Sequence, residues 1–184
     1  MATTERVVKR TYEDYCAIAD DKRYELLDGD LMMVPAPNIR HQRVLGRLHI
    51  ELARFTRQHG LGEVFVAPCD VVLSDTDVVQ PDVLFISRAR EDSITDENVR
   101  GAPDLVIEIL SPSTADRDVG YKHHVYSRHG VLEYWIVDPM VETVAVHRQR
   151  EGRLELAGTF GRRDRLGTAL LEGLQLDLDD IFAS

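Results

Sequence analysis

The 184-residue chain lacks most of the features that would assign it to several large protein classes. It has two cysteines, Cys16 and Cys69, which form neither a CxxC pair nor the framework of a disulfide-stapled domain. No apolar run approaches the ~20 residues of a membrane-spanning helix. The most apolar stretch, Leu105–Leu110, is interrupted by Glu108. Met1–Arg10 is polar and charged, without the apolar core of a secretory signal. We therefore expect a reduced, cytoplasmic protein without membrane association. Twelve glycines and seven prolines are too few for a fibrous or low-complexity chain, and there is no glycine-rich phosphate loop, internal repeat or linker. Positive charge is also scarce: 22 Lys and Arg against 32 Asp and Glu leave a net charge of −10. That excludes a protein coating nucleic acid through a general basic surface. It does not exclude an enzyme working through a local basic patch and a bound metal.

What is present, 43% hydrophobic and 29% charged residues, is the composition of a globular protein, and we expect one domain over residues 1–184. Thr11 and Asp14 suggest a capped helix over Thr11–Ala19. Tyr24–Leu27 and Asp30–Val34 flank Asp28-Gly29, a strong hairpin signal. Asn38 and Gly60 bracket a long helix whose Val44, Leu45, Leu48, Leu52 and Phe55 form one apolar stripe. Strands are expected at Glu63–Ala67, Asp70–Leu73, Pro81–Ser87, Pro103–Leu110, Leu132–Asp138, Thr143–Arg148, Leu154–Phe160 and Leu174–Leu178. Arg88–Gly101 reads as a loop or a poorly packed helix, and Ser113–His129 as a helix capped by Ser113. The order implies a mixed α/β or α+β fold with helices packed on one central sheet.

Several residues in this frame could carry chemistry. Glu108 lies in a strand that is otherwise apolar, where an ionised carboxylate needs an ion pair, a hydrogen bond or a cation. Asp82 opens another apolar strand. With a period of two, Asp82, Leu84 and Ile86 share a face, as do Asp104, Val106 and Glu108. If the strands are neighbours the two carboxylates converge, and a hard divalent cation relieves their repulsion. Taken singly, Asp82 is a strand-start residue and Glu108 a buried or strand-end ion-pair partner. Lys122 shares a helix face with Val119, His123 and Tyr126, from which it could position a water or offset phosphate charge. The plainer alternative is a lysine with its head in solvent. In the long helix, Arg40, Arg43, Arg47 and Arg54 fall away from the apolar stripe, as a solvated face or as a phosphate-facing ridge. His41 reads first as a structural histidine, and otherwise as a phosphate contact or a support for a site residue.

Longer motifs add a resemblance. Gln80-Pro81-Asp82-Val83, the run Gly101–Ser113 with its Pro103-Asp104-Leu105 and Glu108, Lys122 with Tyr126, and Glu133-Tyr134-Trp135-Ile136-Val137-Asp138-Pro139 are similar to the Uma-type family of putative restriction endonucleases. Tyr24–Gly29 and His41 continue the similarity, which spans about Thr11–Phe182. The resemblance implies the PD-(D/E)xK, restriction-endonuclease-like fold: a central mixed sheet flanked by helices, holding Mg²⁺ or Mn²⁺ on acidic residues. By the same resemblance Asp82, Glu108 and the backbone carbonyl of Ile109 are the metal ligands, and Glu25 completes the site. Leu110 stands where the motif's lysine usually falls, and Lys122 on the next helix takes its place. Glu25, Asp82 and Glu108 have no neutralising arginine beside them in sequence, so they should repel one another without a metal.

The reading that follows is a metal-dependent endonuclease acting on nucleic acid, DNA before RNA, with Arg40, His41, Arg43 and Arg47 as contacts to the phosphate backbone. Self-association is compatible with it. The alternative is a catalytically silent module on the same fold that binds protein or nucleic acid, which the net charge favours. His123, His124 and His129 lack metal-ligand spacing and read as surface residues, and Trp135 and Tyr134 as core aromatics.

Overall fold

Short-range chemistry fixes the first third of the chain. In the computed structural model, which describes residues 9–111 and 117–183, helix α1 (Tyr12–Cys16) opens on a capping box. The Thr11 side chain accepts from the Asp14 amide, and the Asp14 carboxylate accepts from the Thr11 amide. Strands β1 (Tyr24–Leu27) and β2 (Asp30–Met33) pair antiparallel around Asp28 (φ 50°) and Gly29 (φ 79°), the doubly left-handed turn that suits a two-residue hairpin. Helix α2 (Ile39–His59) is capped by Asn38, whose side chain accepts from the His41 amide, and stops at Gly60 in the left-handed region.

The next strands are β3 (Gly62–Val66), β4 (Val71–Ser74), β5 (Asp77–Val79), β6 (Val83–Ser87), β7 (Val99–Arg100) and β8 (Leu105–Ile109). A π-helical turn, Arg117–Lys122, leads into α3 (His123–His129). Then come β9 (Glu133–Asp138), β10 (Thr143–Arg150), β11 (Arg153–Gly161), β12 (Arg165–Thr168), β13 (Leu171–Asp177) and α4 (Leu178–Phe182). The expected cap at Ser113 lies outside the described residues.

The central sheet is mixed, in the order β11-β10-β9-β8-β6-β3, with β8 and β9 parallel across the α3 connection and the other pairs antiparallel. Alternation along its strands makes two cores. One face carries Val83, Phe85, Leu105, Ile107 and Ile109 against Val44, Leu48 and Leu52 of α2, the β12–β13 hairpin and Ile181 and Phe182 of α4. The opposite face carries Leu84, Ile86, Val106, Tyr134 and Ile136 against Val125 and Tyr126 of α3 and residues of a second sheet.

That second sheet, β2-β1-β5-β4-β7, corrects the expectation of a single sheet. Its additional strands β5 and β7 have three and two residues, too short for a visible alternation. The segment read as a loop or poorly packed helix is a 3₁₀ turn, Arg88–Ser93, followed by β7. β12 and α4, likewise not anticipated, are short elements that close the α2 side of the core.

Candidate active site

The pairing of β6 with β8 puts Val83 opposite Ile107 and Leu84 opposite Val106. Continuing this antiparallel register by one residue sets Asp82 opposite Glu108, so their side chains leave the same face of the sheet. Both line one pocket with Arg23, Pro35, Ala36, Pro37, His41, Gln80, Ile109, Ser111 and Lys122.

Each carboxylate is fixed by partners from distant segments. Asp82 Oδ2 accepts the Ile109 amide at 2.7 Å, and His41 Nε2 stands 3.1 Å from it. A carboxylate can only accept, so His41 donates from Nε2. Its Nδ1 is buried without a hydrogen-bond partner among the described residues. Oδ1 of Asp82 makes no hydrogen bond among those residues.

Glu108 is 3% exposed and Oε1 accepts from Lys122 Nζ at 2.9 Å and from the Tyr126 hydroxyl at 2.5 Å. Lys122, also 3% exposed, reaches Glu25 Oε1 at 2.8 Å. Glu25, wholly buried in β1, takes the Gln80 amide on the same oxygen at 2.9 Å. Burial, helped by the charges of Glu108 and Glu25, pushes the Tyr126 hydroxyl well above its ordinary range, so it stays protonated and donates.

These contacts decide among the readings left open by the sequence. Lys122 is not a solvent-facing lysine: its ammonium is buried between two carboxylates. The expected mutual repulsion of Glu25, Asp82 and Glu108 is therefore corrected. Lys122 bridges two of them and His41 donates to the third. Among the described residues no group of three or more His, Cys, Asp and Glu side chains is arranged to hold a metal.

His41 touches a site carboxylate rather than standing on the outer ridge. Arg40 and Arg43 line a separate pocket with Val44, Pro139, Met140 and Glu142, and Arg40 Nη1 lies 3.0 Å from Met140 Sδ. Arg47 departs from that ridge: Nη1 donates to the Ile181 carbonyl at 3.2 Å and to the Ala183 carbonyl, tying α2 to the end of α4. Its approach to the chain terminus has no signal in local sequence.

Sequence reasoning also missed an ion cluster built on the second sheet. Asp77 of β5 is 2% exposed and binds Arg128 Nη2 at 2.7 Å, His129 Nε2 at 3.2 Å, Ser74 Oγ at 2.7 Å and the Asp28 amide at 2.9 Å. Burial alone would raise its carboxyl. The bonds from His129, the Asp28 amide, Ser74 and Arg128 win and hold it well below the usual carboxylate range. His129 and His123 are accordingly not plain surface residues, for His123 stacks edge-on to His147 at 4.8 Å.

A mixed sheet whose adjacent inner strands present two carboxylates, with a lysine from the crossover connection reaching one of them, defines a nuclease-like α/β protein. The same architecture occurs in the crystal structure of a putative nuclease belonging to DUF820 from Anabaena variabilis. The TM-score is 0.80 at 20% identity, covering 94% of this chain and 97% of that one, which is a likeness of fold. The model of the Uma2 family, described as putative restriction endonuclease, matches residues 10–179, and the chain belongs to this family. No curated protein matches the sequence.

Proposed function

We propose that the protein is a metal-dependent endonuclease, acting on DNA before RNA, and that its active site is the pocket of Asp82, Glu108 and Lys122. The observation that supports this best is the burial of the Lys122 ammonium against Glu108, one strand from Asp82, in a single pocket. The donors there suit a Mg²⁺- or Mn²⁺-type cation, being hard oxygens from two carboxylates with a main-chain segment alongside. Asp82, Glu108 and the Ile109 carbonyl would hold it. When bound, such a cation polarises the scissile phosphate and promotes ionisation of a water.

The chain's own residues supply the remainder. The Ile109 amide and His41 orient Asp82 through Oδ2, leaving Oδ1 for ligation. Tyr126 and Lys122 hold Glu108 through Oε1. Lys122 orients the attacking water and offsets the negative charge that grows on the phosphate, while Glu25 anchors the ammonium from behind. In the hydrolysis, the water oxygen bonds to phosphorus, the bond to the leaving sugar oxygen breaks, the water gives up a proton and the leaving oxygen gains one.

The test is cleavage of a panel of double- and single-stranded DNA and RNA by the full chain with magnesium or manganese. We expect strand scission that falls at least about a hundredfold in Asp82→Asn and Glu108→Gln. Absence of cleavage across the panel would overturn catalysis. It would favour the silent-module reading, to which the ion pairs of Lys122 with Glu25 and Glu108 also lend themselves, because a cation already sits between those carboxylates.

A further inference from the structure

Arg23 immediately precedes β1 and lines the same pocket as Asp82, Glu108 and Lys122. It is half-buried, yet among the described residues it makes no ion pair. Its side chain is held instead by a neutral group, with Nε donating to the amide oxygen of Gln80 at 2.9 Å. Arginines beside carboxylates ordinarily pair with them, because a guanidinium fork matches a carboxylate. Here the fork is gripped at its base, and its two terminal nitrogens make no hydrogen bond among the described residues.

The grip is itself rigid. Gln80 Nε2 donates to Asp70 Oδ1 at 2.8 Å and lies 3.3 Å from the Tyr15 hydroxyl, while the Gln80 main-chain amide donates to Glu25 Oε1. Tyr15 in turn donates to Asp70 Oδ1 at 2.9 Å. The Arg23 main chain is pinned as well, its carbonyl accepting the Val34 amide at 2.8 Å at the start of the Pro35-Ala36-Pro37 wall of the pocket. An uncompensated guanidinium is thus held at a fixed place in a pocket whose other charged groups lie within ion pairs.

We infer that Arg23 grips the phosphodiester of the substrate strand through its terminal nitrogens, and that Gln80 is the residue that positions it. The inference rests on the hydrolytic reading above for the identity of the substrate, and it adds the group that recognises the phosphate. Two parallel N–H donors fit two phosphate oxygens, which a lysine ammonium does not reproduce. Gln80 serves this arrangement because a neutral acceptor orients the fork without cancelling its charge.

Binding of a fluorescein-labelled DNA duplex, followed by anisotropy with magnesium in the Glu108→Gln background so that no strand is cut, tests the inference without requiring activity. Arg23→Gln should weaken binding about tenfold to a hundredfold, the range of a lost bidentate charge-assisted contact. Arg23→Lys should recover only part of that loss. Gln80→Leu, which keeps the arginine but frees it, should fall between the parent and Arg23→Gln. Melting temperatures measured in parallel separate a structural role, in which Arg23→Gln lowers stability and Arg23→Lys binds like the parent. Parent-like binding by Arg23→Gln or Arg23→Lys, or a parent that binds no DNA, overturns the assignment. A wild type that cuts nothing sinks the hydrolytic reading, while the binding comparison still decides Arg23.

Discussion

Lys122 is the residue on which the buried polar centre depends. Its ammonium pairs with both Glu25 and Glu108, all three being almost wholly buried. Removing one partner from such a network leaves uncompensated charge in a low-dielectric interior, a loss of about 3–5 kcal/mol. Lys122→Met should therefore destabilise the protein by that amount in urea denaturation. Adding Glu25→Gln and Glu108→Gln to Lys122→Met should restore most of the loss, since the buried charges go together. A Lys122→Met protein as stable as wild type would show that these carboxylates do not need their lysine. The same geometry changes what is expected of Glu108→Ala. That substitution removes a buried carboxylate that both Lys122 and Tyr126 bind, so it should not stabilise the metal-free protein.

At the scale of the secondary elements, β5 is short but ties distant segments together. Asp77 at its start joins the β1–β2 turn through the Asp28 amide to the C-terminal end of α3 through Arg128 and His129. The carboxyl is depressed in the folded protein, so its contribution is complete above the ordinary carboxylate range, around pH 4 to 5, and is lost as the pH falls towards the lowered folded value. The stability difference between wild type and Asp77→Asn, from urea denaturation, should be constant from pH 7 to 5 and shrink steadily below pH 4. A difference unchanged down to pH 2 would rule out an ionised Asp77 as the tie.

This element also shows where sequence stops being informative. Asp82 and Glu108 could be paired in advance because β6 and β8 are apolar strands of readable period, and Lys122 because helical spacing put it on a face with Tyr126. The capping residues Thr11 and Asn38 and the Asp28-Gly29 turn act over four residues or fewer, and local chemistry decides them. Strands of two or three residues have no period to read, and β5 and β7 hold their place through pairing with β4. The partners of Asp77 and Arg47 come from segments remote in the chain, and only the tertiary fold brings them together.

At the scale of the whole molecule, a chain of net charge −10 must meet a polyanion through local contacts. The α2 ridge is smaller than its arginine content suggests, because Arg47 is tied to the end of α4 and Arg54 pairs with Glu51. Arg40 and Arg43 remain, flanking the pocket bounded by Pro139 and Met140 near the head of the helix that also carries His41. Each phosphate neutralised by a basic side chain contributes about −0.9 to the slope of log affinity against log salt on duplex DNA. Arg40→Ala with Arg43→Ala should therefore weaken DNA binding and make that slope less steep by about two. Arg47→Ala should leave the slope unchanged and lower the melting temperature instead, because it loosens α4 from α2. Anisotropy titrations across a salt series, run beside thermal unfolding, separate the two effects. A slope that responds to Arg47 and not to Arg40 and Arg43 would move the nucleic-acid path along α2 towards α4 and away from the Pro139–Met140 turn.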